Sequence, residues 1–102
     1  MKIVKQEEFK DTIKEGVVLV DFFATWCGPC RMMGAVLEDI AKDLEGQATV
    51  VKVDVDESGD LAREFGVMSI PTLIIFKNGV EQEKHIGLWQ QNDCVKAVRN
   101  YL

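Results

Sequence analysis

Between Val17 and Phe23 every residue except Asp21 is apolar. An apolar run of this length is the pattern of a strand covered on both faces, as in the middle of an α/β sheet. Directly after it comes Trp26-Cys27-Gly28-Pro29-Cys30, two thiols separated by two residues, which can close one small reversible disulfide. A loop that short constrains the unfolded chain by only about 2 kcal/mol. Stapling a fold is therefore a poor reason for it, and exchange with a partner's disulfide is a better one.

The rest of the chain supplies the layers such a strand needs. Ile3-Val4 can open a short strand, and Phe9 and Ile13 then recur at helical spacing until Gly16. From about Pro29 to Leu44 the positions Met33, Val36, Leu37, Ile40, Ala41 and Leu44 share one helical face, opposite Arg31, Glu38, Asp39 and Lys42, so the cysteine pair opens a helix. Residues 50–55 read as a second buried strand, 61–65 as a short helix ended by Gly66, and 72–76 as a third strand. Asn78-Gly79 tolerates the positive φ angles of a tight turn and predicts a hairpin whose second strand runs towards Ile86. Cys94, Val95, Val98, Tyr101 and Leu102 make one apolar stripe on a last helix. The predicted order is β-α-β-α-β-α-β-β-α: a mixed central β-sheet, with parallel crossovers and an antiparallel C-terminal hairpin, flanked by helices on both faces.

At 102 residues this is expected to be a single domain spanning 1–102, large enough for its own core. The net charge of -5, with lysines scattered along the chain, argues against a nucleic-acid partner. The acidic stretch Asp54 to Glu57 and nearby Asp60 read as a solvated loop with no assigned role. No segment approaches the length of a membrane span, and the N-terminus turns charged before an apolar signal core can form. Three cysteines are too few for a secreted disulfide framework, so a reducing cytoplasm is the expected location.

Three segments, Val20-Asp21-Phe22-Phe23-Ala24-Thr25-Trp26-Cys27-Gly28-Pro29-Cys30, Ser69-Ile70-Pro71-Thr72 and Phe76-Lys77-Asn78-Gly79, occur in order within one short chain. Together they make it resemble the thioredoxin family over essentially its whole length. The resemblance implies a thioredoxin fold, a redox-active Cys27–Cys30 disulfide, and reduction of disulfides in protein substrates as part of cell redox homeostasis. It implies no bound cofactor: reducing equivalents are expected from NADPH through a flavin-dependent thioredoxin reductase. A monomer is expected.

Residue chemistry fits that expectation. Cys27, just before a helix, lies beside free backbone N–H groups and the positive dipole end, which lowers its pKa and favours the thiolate that exchange requires. Cys30, within the first turn, is placed to be less exposed and to resolve a mixed disulfide. Gly28-Pro29 lacks the histidine that drives strongly oxidising relatives, which favours a reductant. The pair read as half a zinc site needs two further donors, and only Cys94 and His85 remain, unsuitably spaced.

Asp21, set in an apolar strand, is expected to be desolvated with a raised pKa, and in the family the matching aspartate is proposed to take the proton of the second cysteine. A carboxylate at a strand edge in contact with water is the alternative. The family places the lysine matching Lys52 near that aspartate; by spacing alone it is equally a solvated lysine. The resemblance also implies a cis bond at Pro71, a loop facing the dithiol, and pairing of the Ile70 backbone with an extended substrate segment. Trp26, Gly28, Pro29, Val67, Met68, Ile70, Pro71, Gly87 and Leu88 then form the docking surface, with Trp26 as core filler the alternative. Cys94 reads as a packed, inert thiol. Ala35 stands where many thioredoxins carry a helix-bending proline, and Gly34 before it weakens that helix. Rival functions are an oxidase or isomerase running the same chemistry at higher potential, and a non-catalytic docking module.

Overall fold

Strand β1, Val17–Phe23, is buried along its whole length, as a run apolar at every position but Asp21 predicts. The computed structural model describes all residues, 1–102. After a 3-10 turn at Gln6–Glu8, the elements run α1 Phe9–Ile13, β1, α2 Gly28–Asp43, β2 Thr49–Asp54, α3 Gly59–Glu64, β3 Thr72–Lys77, β4 Val80–Ile86 and α4 Gln91–Arg99. They form one four-stranded sheet in the order β2-β1-β3-β4. β1 pairs parallel with β2, while β3 runs antiparallel to both β1 and β4.

Each face of β1 feeds its own core. Val17 and Leu19 point with Leu73 and Ile75 towards Met33, Leu37 and Ile40 of α2 and Cys94, Val95 and Val98 of α4. Val18, Val20 and Phe22 point the other way, with Ile74 and Phe76, towards Phe9 and Ile13 of α1 and Leu61 of α3. In the second core Phe9 and Phe65 each meet Phe76 edge to face, with ring centroids 5.6 and 5.2 Å apart, the geometry favoured by aromatic quadrupoles.

Two expected elements are shorter than their patterns indicate. Ile3-Val4 is a single parallel bridge to Lys52, not a strand: Lys2 and Val4 each exchange one backbone hydrogen bond with Lys52. α4 stops at Arg99, so Tyr101 and Leu102 lie beyond it. Tyr101 is half-buried and donates its hydroxyl to Glu83 at 2.7 Å, whereas Leu102 is exposed, having no facing layer to cover it. The hairpin matches expectation, with Asn78 at φ 49° and Gly79 at φ 83°.

α2 is one uninterrupted helix through Gly34 and Ala35. A Cβ built on Gly34 would meet the Lys52 Nζ at 3.6 Å, ordinary van der Waals contact. Gly34→Ala is therefore expected to stabilise the protein by about 1 kcal/mol through helix propensity, raising the melting temperature by roughly 4–8 °C. Calorimetry giving an unchanged or lower value would show that the position needs glycine.

Candidate active site

Strand β1 ends at Phe23, and four residues later the chain turns into α2, so the sheet delivers the two cysteines to the edge of the fold. Cys27 is the N-cap of α2 in extended conformation, with Pro29 in the first turn, where its missing N–H needs no partner. The Cys27 Sγ accepts from the Cys30 backbone N–H at 3.2 Å, satisfying one of the helix's free donors. Cys27 and Cys30 are joined by a disulfide, with their Cα atoms 5.2 Å apart. Both are largely buried, but Cys27 keeps 6% of its surface against 2% for Cys30, so an incoming partner meets Cys27 first.

Around this couple lie Phe23 and Ala24 from the end of β1, with Val55 and Ile70 packed against the cluster. Ile70 precedes a cis peptide bond to Pro71. Pro71 is buried, and its carbonyl accepts the Gly87 N–H at 2.8 Å; Gly87 sits at φ 90°, a conformation that favours glycine. The 69–71 and 87–88 loops are thereby tied together beside the dithiol. Trp26, Val55, Val67, Met68, Ser69 and Ile70 line a small recess of about 210 Å³.

Trp26 is 67% exposed and Met68 97%, which rules out Trp26 as core filler. Gly28 and Pro29 are exposed as well. The indole Nε1 of Trp26 donates to the Asp56 Oδ2 at 2.9 Å, so the acidic stretch is more than a solvated loop. Asp54 within it is buried, and its Oδ1 accepts the Asp56 N–H at 2.8 Å, shaping the turn that presents Asp56. Nothing in the local sequence distinguishes Asp56 from its acidic neighbours; only the fold sets it against the indole. Ile86, at the end of β4, and Met32, in the first turns of α2, are both more than 60% exposed.

Beneath the helix, Asp21 is fully buried, in the middle of β1 and not at a strand edge. Neither carboxylate oxygen has a hydrogen-bond partner. Desolvation pushes its pKa up to about 6, partly offset by the Lys52 ammonium. Asp21 and Lys52 are direct cross-strand neighbours, and the Lys52 Nζ lies over the Phe23 ring, 4.1 Å from its centroid. On the same side of the sheet, Cys94 is buried and its thiol is pushed up to about 12, chiefly by desolvation and then by Glu83 and Asp21, so it is inert as a nucleophile. Trp89 is buried, stacked on the His85 ring at 4.3 Å, and belongs to the core. His85 contacts the Leu88 carbonyl at 2.9 Å and bears on the neighbouring loop, far from metal ligation: no group of three potential ligands is gathered anywhere.

The thioredoxin family model matches residues 1–100. The chain belongs to the thioredoxin family. It is 47% identical to a thioredoxin from Staphylococcus saprophyticus over 104 residues, covering both chains completely. It is 48% identical to one from Chlamydia muridarum, covering 99% of this chain and 98% of that one. A mutant thioredoxin from Halobacterium salinarum NRC-1 superposes with a TM-score of 0.90 at 37% identity, covering 99% of this chain and 88% of that one. As a thioredoxin, the protein is a dithiol–disulfide oxidoreductase, and its closely placed Cys27–Cys30 pair is the redox couple. Family membership implies disulfide-bearing substrates and a reductase partner, and no helix is long and apolar enough to cross a membrane.

Proposed function

We propose that this thioredoxin works as a protein-disulfide reductase, with Cys27 as nucleophile, Cys30 as resolving thiol and Asp21 as the group that handles the resolving proton. The observation that carries this reading is the couple's position at the N-terminus of α2, with Cys27 the more exposed sulfur residue and an apolar surface beside it. In the reduced protein the Cys27 thiolate attacks a substrate disulfide, forming a mixed disulfide and releasing one substrate thiolate, which takes up a proton from water. Cys30 then gives its proton to the Asp21 carboxylate and attacks the Cys27 sulfur. The second substrate thiolate leaves, and two electrons have passed to the substrate as the Cys27–Cys30 disulfide forms.

Asp21 suits this step because burial holds its pKa at about 6, close enough to neutrality to accept and later return a proton. Lys52 tempers that affinity by its charge. Trp26, Gly28, Pro29, Ile70, Pro71 and Gly87 form the substrate surface, where the free Ile70 backbone pairs with an extended segment. A single 102-residue domain, monomeric and cytoplasmic, reset by an NADPH-using flavin-dependent reductase, completes the reading.

Cys30→Ser tests the order of attack. With the resolving thiol gone, the variant is expected to accumulate a covalent mixed disulfide through Cys27, seen by mass spectrometry as substrate-sized adducts that dithiothreitol releases. Adducts through any other cysteine, or none, refute the assignment. A midpoint below the glutaredoxin range, roughly -200 to -230 mV, supports a reductant, and one near an isomerase's value of about -180 mV refutes it.

A further inference from the structure

The Lys52 ammonium has an unusual berth. It lies 4.1 Å from the centroid of Phe23, and on its helix side it faces Gly34, where a Cβ would make only ordinary contact with the Nζ at 3.6 Å. No carboxylate oxygen forms an ion pair with it: the ion pairs of the protein are Lys2–Glu8, Lys14–Asp11 and Arg63–Asp60. A lysine head is compact, strongly hydrated and carried on a flexible stem. Lys52 is only half-buried, so without a fixed contact it can turn to water.

Phe23 supplies that contact from a telling position. By strand alternation it lies two residues from Asp21 on the same side of β1, with Lys52 opposite Asp21 on β2. Its ring also packs in the cluster that holds Cys27 and Cys30. We infer that Phe23 is a positioning residue for disulfide exchange: its ring face pins the Lys52 ammonium beside the buried Asp21 carboxylate and so sets how readily Asp21 holds a proton.

Other groups around Asp21 do not replace the ammonium. The β3 residue opposite, Leu73, is apolar. α4 contributes Cys94, which stays a neutral thiol near neutrality, and α2 contributes the Cys27–Cys30 couple while its charged residues Arg31, Glu38, Asp39, Lys42 and Asp43 are exposed. β4, beyond β3, puts Glu83 and His85 on this side; Glu83 is engaged by the Tyr101 hydroxyl and His85 by the Leu88 carbonyl. Asp54, the next residue on the Lys52 side of β2, commits its Oδ1 to the Asp56 and Glu57 backbone. Lys52 is thus the cation that lowers the proton affinity of Asp21, and removing the ring frees it to leave.

The inference rests on the assignment of Asp21 as the proton-handling group only for its kinetic consequence; the berth itself is read without turnover. Titrating the Asp21 carboxyl by carbon-13 NMR in the oxidised protein is expected to show its midpoint rise by about one pH unit in Phe23→Leu, the size of a lost neighbouring cation. Lys52→Met should raise it similarly, Phe23→Leu should add nothing in that background, and Phe23→Tyr should leave it in place. In the unaltered protein the Lys52 ε-methylene protons should be shifted upfield by the ring.

An unmoved midpoint in Phe23→Leu, the same displacement with and without Lys52, or unshifted ε-methylene protons would each overturn the berth, and the last needs no variant to fold. If the midpoint moves while the pH profile of mixed-disulfide resolution does not, the berth stands and the kinetic role of Asp21 falls.

Discussion

Cys27→Ser is expected to bring insulin reduction by dithiothreitol down to the rate of dithiothreitol alone. The hydroxyl that replaces the thiol is not ionised at neutral pH, so the helix N-terminus has no anion to stabilise and no sulfur remains to carry the mixed disulfide. Cys30 does not take over, since it is the more buried of the two, at 2% exposure. Nor does Cys94, whose thiol is pushed up to about 12 inside the sheet–helix core. The loss is therefore complete and not partial. Turbidity from precipitating insulin chains checks it directly, and retained activity would mean that another residue is the nucleophile.

The second large effect is on stability. Asp21 carries its charge in a fully buried site without a hydrogen-bond partner, and its pKa rises from 3.8 to about 6 on folding. The folded state then holds the Asp21 proton more tightly than the unfolded state. Stability from this group is present below pH 3.8, is lost as the pH rises through the interval up to about 6, and stays lost above it. A displacement of about two pH units corresponds to about 3 kcal/mol. Asp21→Asn, which never ionises, is thus expected to be more stable than the parent by about 3 kcal/mol at pH 8. The advantage should close towards pH 4. Urea unfolding of the two oxidised proteins across this range measures the gap; a constant gap, or one that widens in acid, contradicts the buried carboxylate as its source. The same substitution should slow mixed-disulfide resolution near neutral pH, so stability and chemistry trade against each other at one residue.

Much of this was legible in the chain. The run from Val17 to Phe23 announced a strand buried on both faces, and its break into Trp26-Cys27-Gly28-Pro29-Cys30 placed the thiols at a helix start, because proline and the cap position act through local geometry. The hairpin at Asn78-Gly79 was equally local. Ile3-Val4 and the last turn at Tyr101 misled for one reason: apolar residues state that they prefer burial, which Val4 and Tyr101 achieve against the two cores, not that the backbone carrying them continues a strand or a helix. The reversal of β3 relative to β1 was likewise invisible, since strand patterning is the same in both directions.

What the sequence by itself determined was the set of local preferences: where strands and helices begin, which faces are apolar, and that two thiols stand one helical turn apart. The tertiary structure alone decided the long-range meetings, namely the Asp56 carboxylate on the Trp26 indole, the Lys52 ammonium on the Phe23 ring, and the Gly87 amide on the Pro71 carbonyl. The physical reason is that residue type and spacing act over a turn or a strand, whereas charge effects and desolvation at Asp21 depend on which distant side chains packing brings within a few ångströms, and on which waters it excludes.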